Sequence, residues 1–264
     1  MKNFIINIIN LLWITTPVIA QNTTSQVIST SSSFSAFKAV LVVGHSSGQM
    51  EHSIQSMDKI ANYFKEKGIK TYCFYDTSAK WQDIKRVANG AHFFIYQGHG
   101  TYGGGLNIER GGTTKDILEL SLAKNAFVGF QSVCFGAGSS ASDDTEITIE
   151  EATTRVKWYA NPFLKAGAGC YYANNWNDGV FDFIRYLFTN KSTNVFASYS
   201  PDTLINYNYG GEKTIALISN NIGGTITRIS YINGVKTITQ IPSHKSFDVA
   251  WVSIPKFNIK IIGK

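Results

Sequence analysis

Residues 91–100 read Ala-His-Phe-Phe-Ile-Tyr-Gln-Gly-His-Gly, and residues 126–134 read Ala-Phe-Val-Gly-Phe-Gln-Ser-Val-Cys. Each is a short apolar run that ends abruptly in a polar, chemically able side chain, His99 in one case and Cys134 in the other. Runs of this length, rich in aromatic and β-branched residues and closed by Gly, read as buried strands. Apolar faces on both sides of a strand point to a sheet covered by helices above and below.

The sequence on either side repeats the same alternation. Upstream, Phe37–Gly44 (FKAVLVVG) predicts a first strand and Ile69–Asp76 (IKTYCFYD) a second. Between them, Ile54, Met57, Ile60, Ala61 and Phe64 recur at helical spacing, with Gly68 as the stop, so residues 51–68 predict an amphipathic helix. Residues 78–89 predict another, with Trp81, Ile84, Val87 and Ala88 on one face. Downstream, Thr113 and Asp116 stand in capping-box spacing ahead of a helix through Leu122. Residues 136–166 form a long polar stretch with some helical character. Gly169–Trp176 (GCYYANNW) predicts a fifth strand, and residues 179–188 a helix capped by Asp178. Strand alternating with helix implies crossover connections and an open, mostly parallel sheet. From about 203 the texture changes to β-rich runs parted by Gly-Gly, Asn-Asn and Asn-Gly. Asn233-Gly234 predicts a hairpin turn, and residues 203–264 read as strands that extend the sheet or form a small β module.

In a parallel sheet the two strand ends share a rim, and active groups gather at the carboxyl ends of the strands. Taken alone, a strand-end cysteine packs as a small hydrophobe, and a His before Gly is a turn residue. On neighbouring strand ends they form a pair with a chemical purpose. A thiol needs a base to become a good nucleophile, and His is the base suited to neutral pH. The Gly100 and Cys134 amides are candidates for an oxyanion hole. The small residues Gly136, Ala137, Gly138, Ser139 and Ser140 keep the rim open to substrate. His92, early in its strand, lies away from this rim. Cys73 and Cys170 fall inside apolar strands and read as core.

An apolar strand ending in His-Gly, then a helix, then an apolar strand ending in Cys and small residues resembles the caspase-like superfamily of cysteine peptidases, over roughly residues 37–188. The resemblance implies a caspase-like α/β sheet over residues 36–202 and a Cys/His peptidase that needs no cofactor or metal. His99 is the implied base, Cys134 the nucleophile and Gly100 part of the oxyanion site. Family members often carry an acidic residue or Gln, then a small residue, directly before the Cys. Here the order is Gln131-Ser132-Val133-Cys134, so Gln131 stands one place further back as a substrate-contact candidate. The segment after the fifth strand would line the pocket for the residue before the cut, with Trp176 and Asp178 as its candidates. Asp143 and Asp144 could reach the same area, although their own pattern reads as a solvated loop with weak calcium affinity at most.

Two other readings compete. Gly44-His45-Ser46-Ser47-Gly48 matches the G-x-S-x-G elbow of serine esterases, with Ser46 as nucleophile and His244 as a later partner. Yet only one strand precedes it, where that fold needs several. The shifted Gln131 and the lack of an acidic residue at 131–133 also fit an inactive caspase-fold binding module.

The remaining features set the context. Residues 1–20 carry Lys2, an apolar run from Phe4 to Ile14 and a small-residue end at Val18-Ile19-Ala20, the pattern of a cleaved export signal that leaves no membrane anchor. Residues 21–35, rich in Ser and Thr, read as a disordered linker. The chain of 264 residues has a formal charge of +6, but its Lys and Arg are scattered, which argues against a nucleic-acid partner. The expected partner is a protein or peptide substrate. Three cysteines cannot all pair, and a leftover thiol in an exported chain asks for a function.

Overall fold

The sheet winds outward in both directions from its first strand. The computed structural model describes residues 34–45, 50–175, 178–189 and 245–264, and the backbone of the strands between 204 and 242. Strand β1 (Lys38–Val43), second from the edge, is buried along almost its whole length, as a strand with helices on both faces must be. Helix α1 (Met50–Glu66) leads to β2 (Lys70–Tyr75), which pairs with β1 in parallel at the edge of the sheet. Helix α2 (Trp81–Ala88) then crosses back to β3 (Phe93–Gln97) on the other side of β1. A two-stranded ribbon, β4 (Gly100–Thr101) with β5 (Gly105–Leu106), and the short helix α3 (Thr114–Leu118) follow. Strand β6 (Ala126–Gln131) pairs with β3, and helix α4 (Ile149–Lys165) leads to β7 (Ala168–Asn174), which pairs with β6, again in parallel. Helix α5 (Gly179–Leu187) completes the α/β alternation.

The tail enlarges the same sheet. Strands β8 (Leu204–Gly210) and β9 (Lys213–Asn221) pair antiparallel, β10 (Thr225–Ile232) and β11 (Val235–Pro242) form a separate hairpin, and β12 (Lys245–Ser253) inserts between β7 and β9. The sheet order is β2-β1-β3-β6-β7-β12-β9-β8, five parallel strands followed by three antiparallel ones. This is the open, mostly parallel sheet flanked by helices that the sequence predicts, with its β-rich extension. The register Ile232↔Val235 leaves two residues between β10 and β11, the spacing expected of the Asn233-Gly234 hairpin.

The winding reverses at β1. Its crossover runs one way to β2, whereas β3 continues the other way to β6 and β7. Helices α1 and α5 therefore cover one face, with Met57, Phe64, Val180 and Ile184 in its core. Helices α2, α3 and α4 cover the other, with Trp81, Ile117, Val156 and Phe163. The carboxyl ends of β1 and β3 flank the reversal, where open α/β sheets place their crevices.

Several local expectations need correction. Strand β6 ends at Gln131 rather than Cys134, because Ser132 takes a left-handed backbone (φ 53°) that breaks the strand. Residues 149–165 are a full helix. Thr148 caps it by accepting the Glu151 amide, and Ala152, Val156, Tyr159, Ala160 and Phe163 form its buried stripe; Pro162 and the charged outer face obscure that period. Cys73 is exposed, since β2 is an edge strand, whereas Cys170 is buried. Asp178 occupies the N-cap position of α5, but its side chain makes no cap hydrogen bond. The capping box at Thr113 and Asp116 is present as expected. The proposed signal at 1–20, nearly all of the linker at 21–35, and Ser46, Trp176 and His244 lie outside the described residues. Among the described residues no helix is long and apolar enough to cross a membrane.

Candidate active site

The rim is built on a rigid aromatic floor. The Phe130 ring packs 5.1–5.6 Å from the rings of Tyr96, Tyr159, Phe163 and Tyr171, the spacing at which tilted aromatic pairs attract. Two of these tyrosines reach up to fasten the turn that carries His99. The Tyr96 hydroxyl donates to the His99 carbonyl (2.8 Å) and accepts from the Asn107 amide (3.0 Å). The Asn107 amide also donates to the His99 carbonyl at 3.2 Å. From α4, the Tyr159 hydroxyl donates to the Thr101 carbonyl at 2.7 Å. Burial raises the pKa of both hydroxyls and keeps them protonated donors; for Tyr159 the nearby Tyr96 and Cys134 push the same way. The backbone of residues 99–101 is thus pinned from below, while the His99 side chain is exposed.

The Cys134 turn is as firmly held. Beyond Ser132, Phe135 also has a left-handed backbone (φ 65°), so two non-glycine residues in this conformation flank the cysteine. Such conformations persist only where the surroundings enforce them. Here the Ser132 amide donates to the Asn174 carbonyl, Gly136 to Val133, and Phe135 to Ser139. The Tyr171 hydroxyl donates to the Gly136 carbonyl at 2.9 Å. Arg155 secures the loop beyond. Its guanidinium donates to the Gly138 carbonyl, to both oxygens of Asp143 and to Glu151, and stacks over the Phe135 ring. Those ion pairs hold the Arg155 charge above its ordinary pKa against the opposing effect of burial. Asp143, with its side chain 9% exposed, is consequently a partner of Arg155, while Ser142 and Asp144 beside it are exposed, as a solvated loop predicts.

The two turns meet at glycine. Strands β3 and β6 align Gln97 with Gln131, so His99 lies two residues and Cys134 three residues beyond a shared level. A Cβ placed on Gly100 would lie 2.3 Å from the Cys134 carbonyl oxygen, 2.5 Å from the Tyr159 hydroxyl and 2.8 Å from Val133 Cγ1. The His99-Gly100 backbone therefore packs directly on the Val133-Cys134 backbone, at a separation only glycine permits. The Asn107-to-His99 bond makes Gly100 and Leu106 the non-hydrogen-bonded pair of the β4–β5 ribbon, so the Gly100 amide points away from β5. The Cys134 amide enters no backbone hydrogen bond among the described residues. Cys134 is half-buried and its thiol is free.

The other named residues make structural contacts. Gln131 is 1% exposed. Its amide oxygen accepts the Val180 amide at 3.0 Å and its nitrogen donates toward the Asn174 carbonyl, so it joins β6 to β7 and α5. Asp178 pairs with Lys59 at 2.6 Å and accepts from Ser56 on α1. His92 stands at the opposite end of β3, stacked on Phe37. Sequence reading missed Tyr96, Tyr159 and Arg155. The spacing of Glu151 and Arg155, four residues apart in a helix, was the one local signal for the last. It also missed the pair at the end of β1 and β2, where His45 Nδ1 meets Asp76 at 2.9 Å. Asn107 ties His45 to the His99 turn through both its side chain and its carbonyl. Among the described residues, no group of three or more His, Cys, Asp or Glu side chains is placed to hold a metal ion.

Comparison with family models, with curated proteins and with solved structures found no match to this chain.

Proposed function

We propose that this chain is an exported cysteine endopeptidase that cuts peptide bonds with Cys134 as nucleophile and His99 as its base. One observation carries the reading: the Gly100 backbone lies against the Cys134 carbonyl so closely that no side chain fits between them. That contact brings an exposed imidazole and a half-buried free thiol onto adjoining turns of one rim, with two backbone amides nearby.

The chemistry follows from this arrangement. Cys134 passes its proton to His99, and the thiolate sulfur bonds to the scissile carbonyl carbon while the π pair moves onto oxygen. The Gly100 and Cys134 amides donate to that oxyanion. Collapse of the intermediate restores the carbonyl and breaks the C–N bond, and His99 delivers its proton to the departing amine. His99 then takes a proton from water, whose oxygen attacks the thioester. The acid product leaves and the thiol is restored. Export rests on the signal-like segment at 1–20.

The test is alkylation of the purified protein with iodoacetamide near neutral pH, using Cys134→Ala and His99→Ala as controls. Fast labelling at Cys134 that slows when His99 is removed, together with peptide hydrolysis lost in both variants, is the expected result. Hydrolysis that survives Cys134→Ala would refute the proposal.

A further inference from the structure

Tyr102 is the most exposed large apolar residue among those described, at 73%. An exposed aromatic usually swings freely, but this one is part of a cluster. Its ring lies 4.5 Å from that of Trp158 on α4 and 5.9 Å from that of Phe135, both edge to face, and Phe135 and Trp158 lie 6.3 Å apart. Each member is fixed by its surroundings. Phe135 directly follows Cys134, and its left-handed backbone and the Arg155 guanidinium over its ring set its direction. The backbone of Gly104 presses against Trp158, where a Cβ would lie 2.5 Å from the Trp158 carbonyl oxygen. Tyr102 itself caps the β4–β5 ribbon, held by the Gly104 amide on the Thr101 carbonyl and the Gly105 amide on the Thr101 hydroxyl.

Position gives this shelf a role. In the sheet, β3 and β7 lie on opposite sides of β6. The base that protonates the leaving amine follows β3, so the leaving half of a substrate extends toward β3 and its ribbon. The acyl half extends toward β7 and Asp178. Tyr102 belongs to the ribbon, three residues past His99, and Phe135 adjoins the nucleophile. The shelf itself is aromatic in all three members.

We infer that Tyr102, Phe135 and Trp158 form the subsite for an aromatic or large aliphatic side chain just after the scissile bond. The inference rests on the peptidase reading of Cys134 and His99. Such a shelf selects through ring contact and water exclusion, which discriminates a large apolar side chain from glycine by about tenfold.

The experiment maps cleavage sites by mass spectrometry in a mixture of protein-derived peptides, using the wild-type protein, Tyr102→Ala, Tyr102→Phe and Cys134→Ala. In the wild type, Cys134-dependent sites are enriched about tenfold in Phe, Tyr, Trp, Leu or Ile at the first or second position after the cut. Tyr102→Phe keeps this enrichment and Tyr102→Ala loses most of it, while the preference before the cut persists. Cleavage without such enrichment, or enrichment that survives Tyr102→Ala, overturns the subsite alone. Absence of any Cys134-dependent cleavage overturns the peptidase reading and the subsite with it.

Discussion

Gly100 and Cys134 touch through their backbones: a methyl group on Gly100 would stand 2.3 Å from the Cys134 carbonyl oxygen and 2.5 Å from the Tyr159 hydroxyl. The need is for space between two pinned turns, since Tyr96, Tyr159 and Asn107 hold one and Asn174 and Arg155 hold the other. Gly100→Ala must push them apart. Overpacking of this kind costs about 1–3 kcal/mol, and a displacement of about 1 Å in a reacting pair lowers its rate by roughly 100-fold. Denaturant titration and the alkylation rate of Cys134 measure the two effects separately. A folded Gly100→Ala protein that labels as fast as wild type would show that the contact does not align the pair.

The three free thiols supply an internal control. Cys170 is buried in β7, and burial pushes its pKa well above the ordinary thiol range, so native protein leaves it unmodified. Cys73 is exposed on the edge strand, within reach of a reagent in solvent. Peptide mapping after brief iodoacetamide treatment is expected to give Cys134 first, Cys73 later and Cys170 only in denaturant. Removing His99 is expected to slow Cys134 and leave Cys73 unchanged. Parallel slowing of both cysteines would trace the effect to something other than the dyad.

The parallel core of the sheet was legible because its signals are local. Val-rich β1, the apolar runs of β3 and β6 and the period of α1 each announce themselves within a dozen residues. The two ends bearing His99 and Cys134 were legible for the same reason. What escaped depends on the third dimension. Tyr96 lies within an apolar strand and Tyr159 within a stretch that reads as polar, and only the fold shows their hydroxyls fastening the backbone above. Asp143 looks like a loop carboxylate until α4 brings Arg155 to it across twelve positions. Cys73 looks buried until β2 proves to be an edge strand. Gln131, named for its likeness to the Gln that the resembling peptidases carry before the Cys, turns inward because the strand's alternation points it toward α5.

Arg155 tests whether the loop after Cys134 is held by charge. Its side chain and that of Asp143 are each 9% exposed, so losing one partner leaves the other's largely buried charge short of its ion pair, with the Ser140 amide still donating to Asp143 or Glu151 still paired with Arg155. Arg155→Met is expected to cost about 3 kcal/mol, within the range for breaking a buried pair. Asp143→Asn in the same chain removes the carboxylate that has lost its ion pair and recovers part of that loss, giving a clear coupling in a double-mutant cycle. Arg155→Lys recovers little, because one ammonium cannot match the guanidinium's simultaneous bonds to Gly138, Asp143 and Glu151. Strictly additive losses in the cycle would show that the two side chains act independently.

His92 makes stability depend on pH at the end of the sheet remote from His99 and Cys134. Its Nδ1 accepts the Lys38 amide at 3.2 Å and its ring stacks on Phe37 at 4.6 Å. Burial first, and the Lys38 charge second, lower its pKa below the usual value for histidine. The unfolded chain therefore binds this proton more readily than the folded one. The stabilising contribution is complete above about pH 6.5, the ordinary histidine pKa. It declines as pH falls below that value and is exhausted once the folded histidine is also protonated. His92→Asn keeps a side-chain acceptor but does not titrate. At pH 7.5 the variant is expected to be less stable than wild type in urea, with the gap narrowing toward pH 5 as the wild type loses its advantage. A gap that stays constant across that range would mean that His92 contributes only by packing against Phe37.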